Sequence, residues 1–353
     1  MKNRQNIARR KWGKIFLTLA AGLLLLLHIL DLRALVLQQI TALAIVRSLA
    51  EIGLDAGIIF LCLRTEKGNQ RACLSGQWDR DACQNDTEET DLRPHSEAEI
   101  VEWFDQAVQN REMEIYLQPQ VPLDTGSHIQ AEALIRWRKP GVGMIYPNEF
   151  IPLLEENHRI DILDVYVFEE VCRLVAGWIA QGKPVAEVSI NVSRDHLKQV
   201  GGKICEEYAQ IKEKYQIPDG ILKLELTENT MFELHELKAA KEVVDGFRAA
   251  GMKVALDDFG FAYSSLILLK EFHLDILKLD RGFFVDENEQ SKIIVSSMIQ
   301  LAHALGITVV AEGIEQEGQV KELAQMQCDY IQGYVFSKPV PAPEFETWMI
   351  QHQ

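Results

Sequence analysis

From residue 113 to residue 335 the chain alternates short apolar runs with longer amphipathic stretches, and that alternation admits very few folds. The short runs are Met113–Gln118, Ile129–Trp137, Glu187–Val192, Leu222–Leu226, Lys253–Leu256, Ile276–Leu279, Thr308–Ala311 and Tyr330–Val335. Between most of them lie segments of helical spacing, among them Ile162–Gln181, Leu234–Ala250 and Lys292–Leu305. Gly251 and Gly306 follow the last two, where a left-handed residue ends a helix. Strands and helices alternating over roughly 240 residues describe an α/β chain closed into a TIM-like (β/α)8 barrel. The connection Pro122–His128 is too short to hold a helix. The first two strands are therefore expected to form an antiparallel hairpin, which modifies the barrel there. Ahead of them, Ile100, Val101, Phe104 and Val108 recur at helix spacing.

Polar residues fall at a consistent place in this pattern. Glu132 lies within the second strand, Asn191 ends the third, and Glu225 and Glu228 end the fourth. Asp257 and Asp258 end the fifth, Lys278 and Asp280 the sixth, and Glu312 and Glu315 the seventh, while Gln332 lies in the eighth. In such a barrel the C-terminal strand ends converge on one mouth, where active sites are built. Carboxylates gathered that densely repel one another and need cations to coexist. Glu, Asp and Asn oxygens favour Mg²⁺ or Mn²⁺ over zinc. Adjacent Asp257 and Asp258 suit two ions, and ions about 3.5–4 Å apart suit in-line attack on a phosphodiester. Lys278 adds a positive charge near the attacking water or the developing phosphorane oxygens.

Taken singly, these residues have plainer readings. Glu228 reads as a solvated or capping residue, Lys278 as a surface lysine, and Asp257–Asp258 as a helix N-cap pair. Asn191 reads as a strand-to-helix cap, and Arg194 and His196 are expected at the surface. Convergence on one rim is what carries the site.

Charge bears on the partner. With 52 acidic against 36 basic residues the chain carries a net charge of −16, which argues against a nucleic-acid polymer. A small anionic ligand stays open, because bound cations reverse the local sign. The six cysteines form no CxxC pair and no zinc-spaced cluster. Cys172, Cys205 and Cys328 lie in apolar stretches and are expected as buried thiols. Cys73 and Cys83 flank a polar loop and could pair only in an oxidising compartment.

The N-terminus differs from the rest. Residues 1–33 hold a basic flank (Lys2, Arg4, Arg9, Arg10, Lys11, Lys14) and an apolar run from Ile15 to Leu30. This reads as a membrane helix with its N-terminus in the cytoplasm. The run is short for a full span, so a cleaved signal and a soluble helix are the other readings. Residues 34–95 hold a second hydrophobic segment, interrupted by Arg47, Glu51 and Asp55, and a polar linker. A globular domain is expected over 96–353.

The segment QAEALIRWRKPGVG, with Glu132, Ala133 and Leu134, resembles the name-giving motif of the EAL-domain cyclic-di-GMP phosphodiesterases. YLQPQ, SINVS, LELTE, DDFG, LKLDRGF, VVAEGIE and QGYVFSKP follow the family's order, at 116–120, 189–193, 224–228, 257–260, 277–283, 309–315 and 332–339. The resemblance covers about residues 96 to 350. It implies hydrolysis of cyclic di-GMP to linear pGpG with two divalent ions. By the same resemblance Glu132, Asn191, Glu225 and Asp257 match the ligands of the first ion, and Asp257, Asp258 and Glu312 surround the second. Lys278 matches the lysine near the nucleophilic water. Glu312 is cast either as a ligand or as the general base. Gln118, Arg136, Glu315 and Gln332 match substrate contacts, with Arg136 at a phosphate. Glu228 matches the residue that steadies the loop after Asp258.

The resemblance also implies a homodimer and, through its substrate, a cytoplasmic catalytic domain, which the apolar run 15–30 is expected to hold at the cell membrane. One helix crossing would place the domain outside, and a second crossing would return it. The chain departs from the family after DDFG, where Phe261 replaces a small residue and Ala262 a glycine. If that position needs φ > 0, alanine costs on the order of 1 kcal/mol. A catalytically weak domain that binds cyclic di-GMP or docks a partner is the alternative reading. No GGDEF-like motif accompanies the domain.

Overall fold

The computed structural model describes residues 97–352, except 125, 127, 201, 229–236, 261–264 and 286–287. The apolar run 15–30, the segment and linker 34–95, the Cys73–Cys83 loop, Phe261 and Ala262 lie outside the described residues. No helix among the described residues is long and apolar enough to cross a membrane.

Helix α1 (Glu97–Asn110) buries Ile100, Phe104 and Ala107 and leads into β1 (Met113–Pro122). β2 (Gln130–Lys139) returns beside it, paired antiparallel from Met113↔Trp137 to Gln120↔Gln130. This is the expected hairpin. A short strand, β3 (Gly143–Ile145), adds to the outer edge of β2, and α2 (Pro147–Glu156) and α3 (Ile160–Ala180) follow. Next come β4 (Glu187–Asn191), α4 (Arg194–Val200), α5 (Lys203–Lys214), β5 (Leu222–Thr227), α6 (Leu237–Ala249) and β6 (Lys253–Phe259). The chain continues through α7 (Ser265–Glu271), β7 (Ile276–Leu279), α8 (Gly282–Val285), α9 (Glu289–Ala304) and β8 (Thr308–Ala311). It ends with α10 (Glu317–Gln325), β9 (Tyr330–Gln332), β10 (Val340–Pro341) and α11 (Ala342–Gln351).

The barrel order is β1-β9-β8-β7-β6-β5-β4-β2, closed by the β1–β2 pairing. β1 runs antiparallel to both neighbours, while the rest of the wall is parallel. The two short strands missed by the alternation, β3 and β10, lie outside this wall, on β2 and β1. Two or three residues carry too little period to be read from sequence.

Each strand has two faces, and both are used. Outward residues such as Leu224, Val254, Leu277 and Val309 are buried with the helices in the main core. The helices meet them with apolar stripes. That of α3 holds Leu163, Val167, Phe168, Val171, Cys172, Val175 and Trp178. Inward residues Ala255, Ile276, Val310 and Tyr330 form a separate apolar layer inside the barrel. Gly251 and Gly306 take φ of 76° and 75° after α6 and α9, as expected of helix-ending glycines. Cys172, Cys205 and Cys328 are buried free thiols. Burial pushes Cys172 and Cys328 up to about 12 and Cys205 to about 11, which keeps all three protonated.

Candidate active site

Above the apolar layer the inward positions turn polar. Strand alternation places Glu132 on β2, Glu225 on β5, Asp257 on β6 and Lys278 on β7 on the lumen side, and Glu312 follows β8. All of them are buried. The Lys278 ammonium stands at their centre. Its Nζ lies 2.6 Å from Glu225 Oε2, 2.7 Å from Glu312 Oε1, 3.2 Å from Asp257 Oδ1 and 3.6 Å from Glu132 Oε2.

Amides complete the floor. Asn191 Nδ2 donates to Glu132 Oε1 at 2.8 Å, and Gln332 Nε2 donates to Glu132 Oε2 at 2.6 Å. Gln332 Nε2 also reaches Gln118 Oε1 at 3.1 Å, and Gln118 Nε2 donates to the Ser337 carbonyl at 3.2 Å. Gln120 Nε2 donates to Gln332 Oε1 at 2.9 Å. β1 contributes Gln118 and Gln120 to this network because its antiparallel register sets them opposite Glu132 and Gln130.

Burial and crowding set the protonation of the cluster. Burial, with the Glu132 charge next, pushes Glu225 up to about 8. Burial also holds Glu312 well above the carboxylate range, against the pull of Lys278. For Glu132 burial is outweighed by Lys278, Gln332 and Asn191, and its pKa is lowered. Lys278 is held well above the usual lysine value, because four carboxylates outweigh its burial.

Asp257 and Asp258 are neighbours that a regular strand would turn to opposite faces. The chain breaks the alternation: the β6–β7 register shifts between Leu256 and Phe259, and Asp258 adopts φ 56°. Bulges of this kind re-aim side chains beside active sites. Asp258 stays half-buried, and burial followed by the Asp257 charge pushes it up to about 7. Asp tolerates the left-handed region better than most residues, a signal present in the sequence.

Gly260 follows with φ 110°, and the Phe283 ring of α8 lies where its Cβ would be. Gly260→Ala is expected to shift the end of β6 and with it Asp257 and Asp258. A thermal melt beside a divalent-ion titration should show stability lowered by about 1–3 kcal/mol and ion affinity reduced. Unchanged affinity would separate this contact from the site.

The remaining sequence-derived residues fall as follows. Glu228 is buried directly after β5, and Arg136 is buried near the upper end of β2. Glu315 is exposed, with its backbone N–H donating to Gln319 Oε1, so it stands apart from the buried cluster. Asp280 accepts from the Gly282 N–H at 2.6 Å and caps the turn into α8. His196 corrects the sequence reading: it is buried, not at the surface. Its Nδ1 lies 3.1 Å from Asp164 Oδ2, the same oxygen that accepts the Ser193 N–H at 2.8 Å. Arg194 is partly buried.

A polar layer at the opposite end of the lumen was not foreseen. Lys223, two residues before Glu225, is fully buried, donates to Gln130 Oε1 and lies 3.6 Å from Glu187. Burial pushes it down to about 7.

The donor set fits hard divalent ions. Among the described residues, Glu225 Oε1 and Glu312 Oε1 are buried without a hydrogen-bond partner; the latter lies near Lys278 but out of hydrogen-bonding alignment. The Glu225 oxygen is costly to bury unless a cation meets it, whereas Glu312 Oε1 already has the Lys278 ammonium at 2.7 Å. No three acidic, histidine or cysteine side chains among the described residues are spaced for an ion as they stand, and the Lys278 ammonium lies between the carboxylates. Ion binding therefore entails some side-chain rearrangement around Lys278.

The EAL domain family model matches residues 101–339. Cyclic di-GMP phosphodiesterase NbdA of Pseudomonas aeruginosa is 32% identical over 260 residues, which is 73% of this chain and 33% of that protein. Cyclic di-GMP phosphodiesterase RocR of the same organism is 33% identical over 253 residues, covering 71% of this chain and 62% of RocR. The chain thus spans about a third of NbdA and less than two thirds of RocR. Among solved structures, the PaMucR phosphodiesterase in complex with c-di-GMP superposes with a TM-score of 0.64 at 30% identity, over 70% of this chain and 99% of that one.

Proposed function

Given that this chain belongs to the EAL domain family, we propose that it hydrolyses one phosphodiester bond of cyclic di-GMP to give linear 5′-pGpG. The observation that carries this reading is the buried ring of carboxylates around Lys278, with Glu225 Oε1 left without a hydrogen-bond partner. In this proposal Glu132, Asn191, Glu225 and Asp257 hold one Mg²⁺ or Mn²⁺, and Asp257, Asp258 and Glu312 hold a second. Bound there, the two ions lower the pKa of the attacking water and offset charge on the phosphoryl oxygens. Lys278 holds its ammonium beside that water. Glu312 serves either as a ligand or as the base that accepts the water's proton. Gln118, Arg136, Glu315 and Gln332 contact the substrate, and Gln332 also holds Glu132 through its hydrogen bond to Oε2.

Exposed aliphatic side chains support the expected homodimer. They are Leu266 and Ile267 on α7 and Ile293 and Ile294 on α9, and sedimentation equilibrium reads the assembly directly.

The test is incubation of the purified protein with cyclic di-GMP and Mg²⁺ or Mn²⁺, with nucleotides resolved by chromatography. Metal-dependent pGpG is expected, falling by about a hundredfold or more in Glu132→Ala. Cyclic di-GMP that is bound but left intact would make the protein a receptor. The departures at Phe261 and Ala262 give that reading its support.

A further inference from the structure

Arg136 lies near the upper end of β2, yet it is only 5% exposed. Its Nη1 donates to the Ile135 carbonyl at 2.8 Å, and two phenol rings lie beside the guanidinium. Its Cζ stands 5.7 Å from the centroid of Tyr116 and 6.0 Å from that of Tyr146. The strand register explains the arrangement. Tyr116 pairs with Leu134, so it is the diagonal neighbour of Arg136 on the same face. The β2–β3 pairing ends at Trp137↔Ile145, and one further step sets Tyr146 across from Arg136.

Tyr116 is pinned at its hydroxyl, which accepts from Arg138 Nη2 at 3.1 Å. Tyr146 is fixed through its backbone, where its N–H donates to Glu149 Oε2 at 2.8 Å at the start of α2. Its ring is half-exposed. The face that carries Arg136 also carries Glu132, four residues back, or about 13 Å of strand. A half-exposed aromatic residue beside a guanidinium, on the face that leads to a phosphodiester site, offers a stacking surface to a base.

We propose that Tyr146 is a specificity-determining residue that stacks on a purine base of the substrate, beside the Arg136 guanidinium. This rests on the phosphodiesterase reading given above. The platform meets a part of the ligand removed from the reacting phosphorus, so it acts on substrate capture and not on the chemical step.

The experiment compares the full chain with Tyr146→Ala, Tyr146→Phe and Tyr146→Trp. Two substrates are used with Mn²⁺: cyclic di-GMP and bis(p-nitrophenyl) phosphate, a phosphodiester without a purine. Calorimetric Kd values for cyclic di-GMP are taken without divalent ions, where turnover is not required. Tyr146→Ala is expected to raise KM and Kd for cyclic di-GMP about tenfold or more, with kcat nearly unchanged. Phe and Trp should restore binding, and Tyr146→Ala should raise the KM for bis(p-nitrophenyl) phosphate far less than that for cyclic di-GMP. An unchanged KM and Kd in Tyr146→Ala would overturn the proposal. So would a kcat loss shared by both substrates, which would mark Tyr146 as a structural support alone. Wild-type protein that binds cyclic di-GMP without hydrolysing it would sink the phosphodiesterase reading and leave the Kd comparison to decide the role of Tyr146. Wild-type protein that does not bind it would overturn both.

Discussion

Lys278→Met is expected to reduce phosphodiester hydrolysis by on the order of a thousandfold, the largest effect of any single substitution in this barrel. The ammonium is buried and faces Glu132, Glu225, Asp257 and Glu312 within 3.6 Å. Methionine keeps most of the side-chain volume and removes the charge. Two consequences follow from one change. The developing phosphoryl charge loses a fixed cation in a site of low dielectric. Without divalent ions the carboxylates also lose their shared partner, and breaking a buried ion pair in this way costs about 3–5 kcal/mol. Proton uptake by the carboxylates offsets part of that cost. The metal-free variant should therefore melt below wild type, and saturating Mg²⁺ or Mn²⁺ should close much of the gap while activity stays lost. Activity within tenfold of wild type would remove Lys278 from the mechanism.

The second large effect is a pH dependence that appears only without divalent ions. Glu225 rises from 4.5 to about 8 in the folded protein, Asp258 from 3.8 to about 7, and Glu312 rises as well, each chiefly through burial. A carboxyl group whose folded pKa is raised binds its proton more tightly when folded. Its stabilising contribution is complete below the unfolded value and is lost as pH climbs through the folded one. The metal-free protein should thus lose stability between about pH 4.5 and 8, by on the order of a few kcal/mol. Lys278 shifts upward from 10.5 and does not vary across this window. Glu132 is lowered and acts only below it. Bound ions require the ionised carboxylates, so saturating Mg²⁺ or Mn²⁺ should flatten or reverse the slope. Melting curves from pH 5 to 9 with a chelator and with excess metal measure both. A metal-free melting temperature that holds constant or rises with pH would show that these carboxylates are already ionised in the folded protein.

The barrel was legible because its period is short and repeated. Strands such as Ile276–Leu279 and Thr308–Ala311 emerge with the bounds read from the alternation. The missing helix after Pro122 led directly to the hairpin. The rim was legible for the same reason: a strand end is a fixed place in a parallel barrel, and Glu225, Asp257 and Lys278 occupy it.

By itself, then, the sequence determined the order of strands and helices and the chemical kind of the mouth, since both depend on local spacing and residue type. Only the tertiary structure decided who meets whom. Lys278 taken alone read as a surface lysine until carboxylates from β2, β5, β6 and the residue after β8 closed around it. His196 read as surface until the Asp164 carboxylate of α3 drew it inward. Lys223 and Gln130 form a buried layer because β2 and β5 flank the same lumen, although 93 residues separate the two in sequence. Tyr146 reaches Arg136 through a three-residue strand too short to be seen in any period. Each of these contacts joins residues distant along the chain, and alternation shows which face a side chain takes but not what lies opposite it.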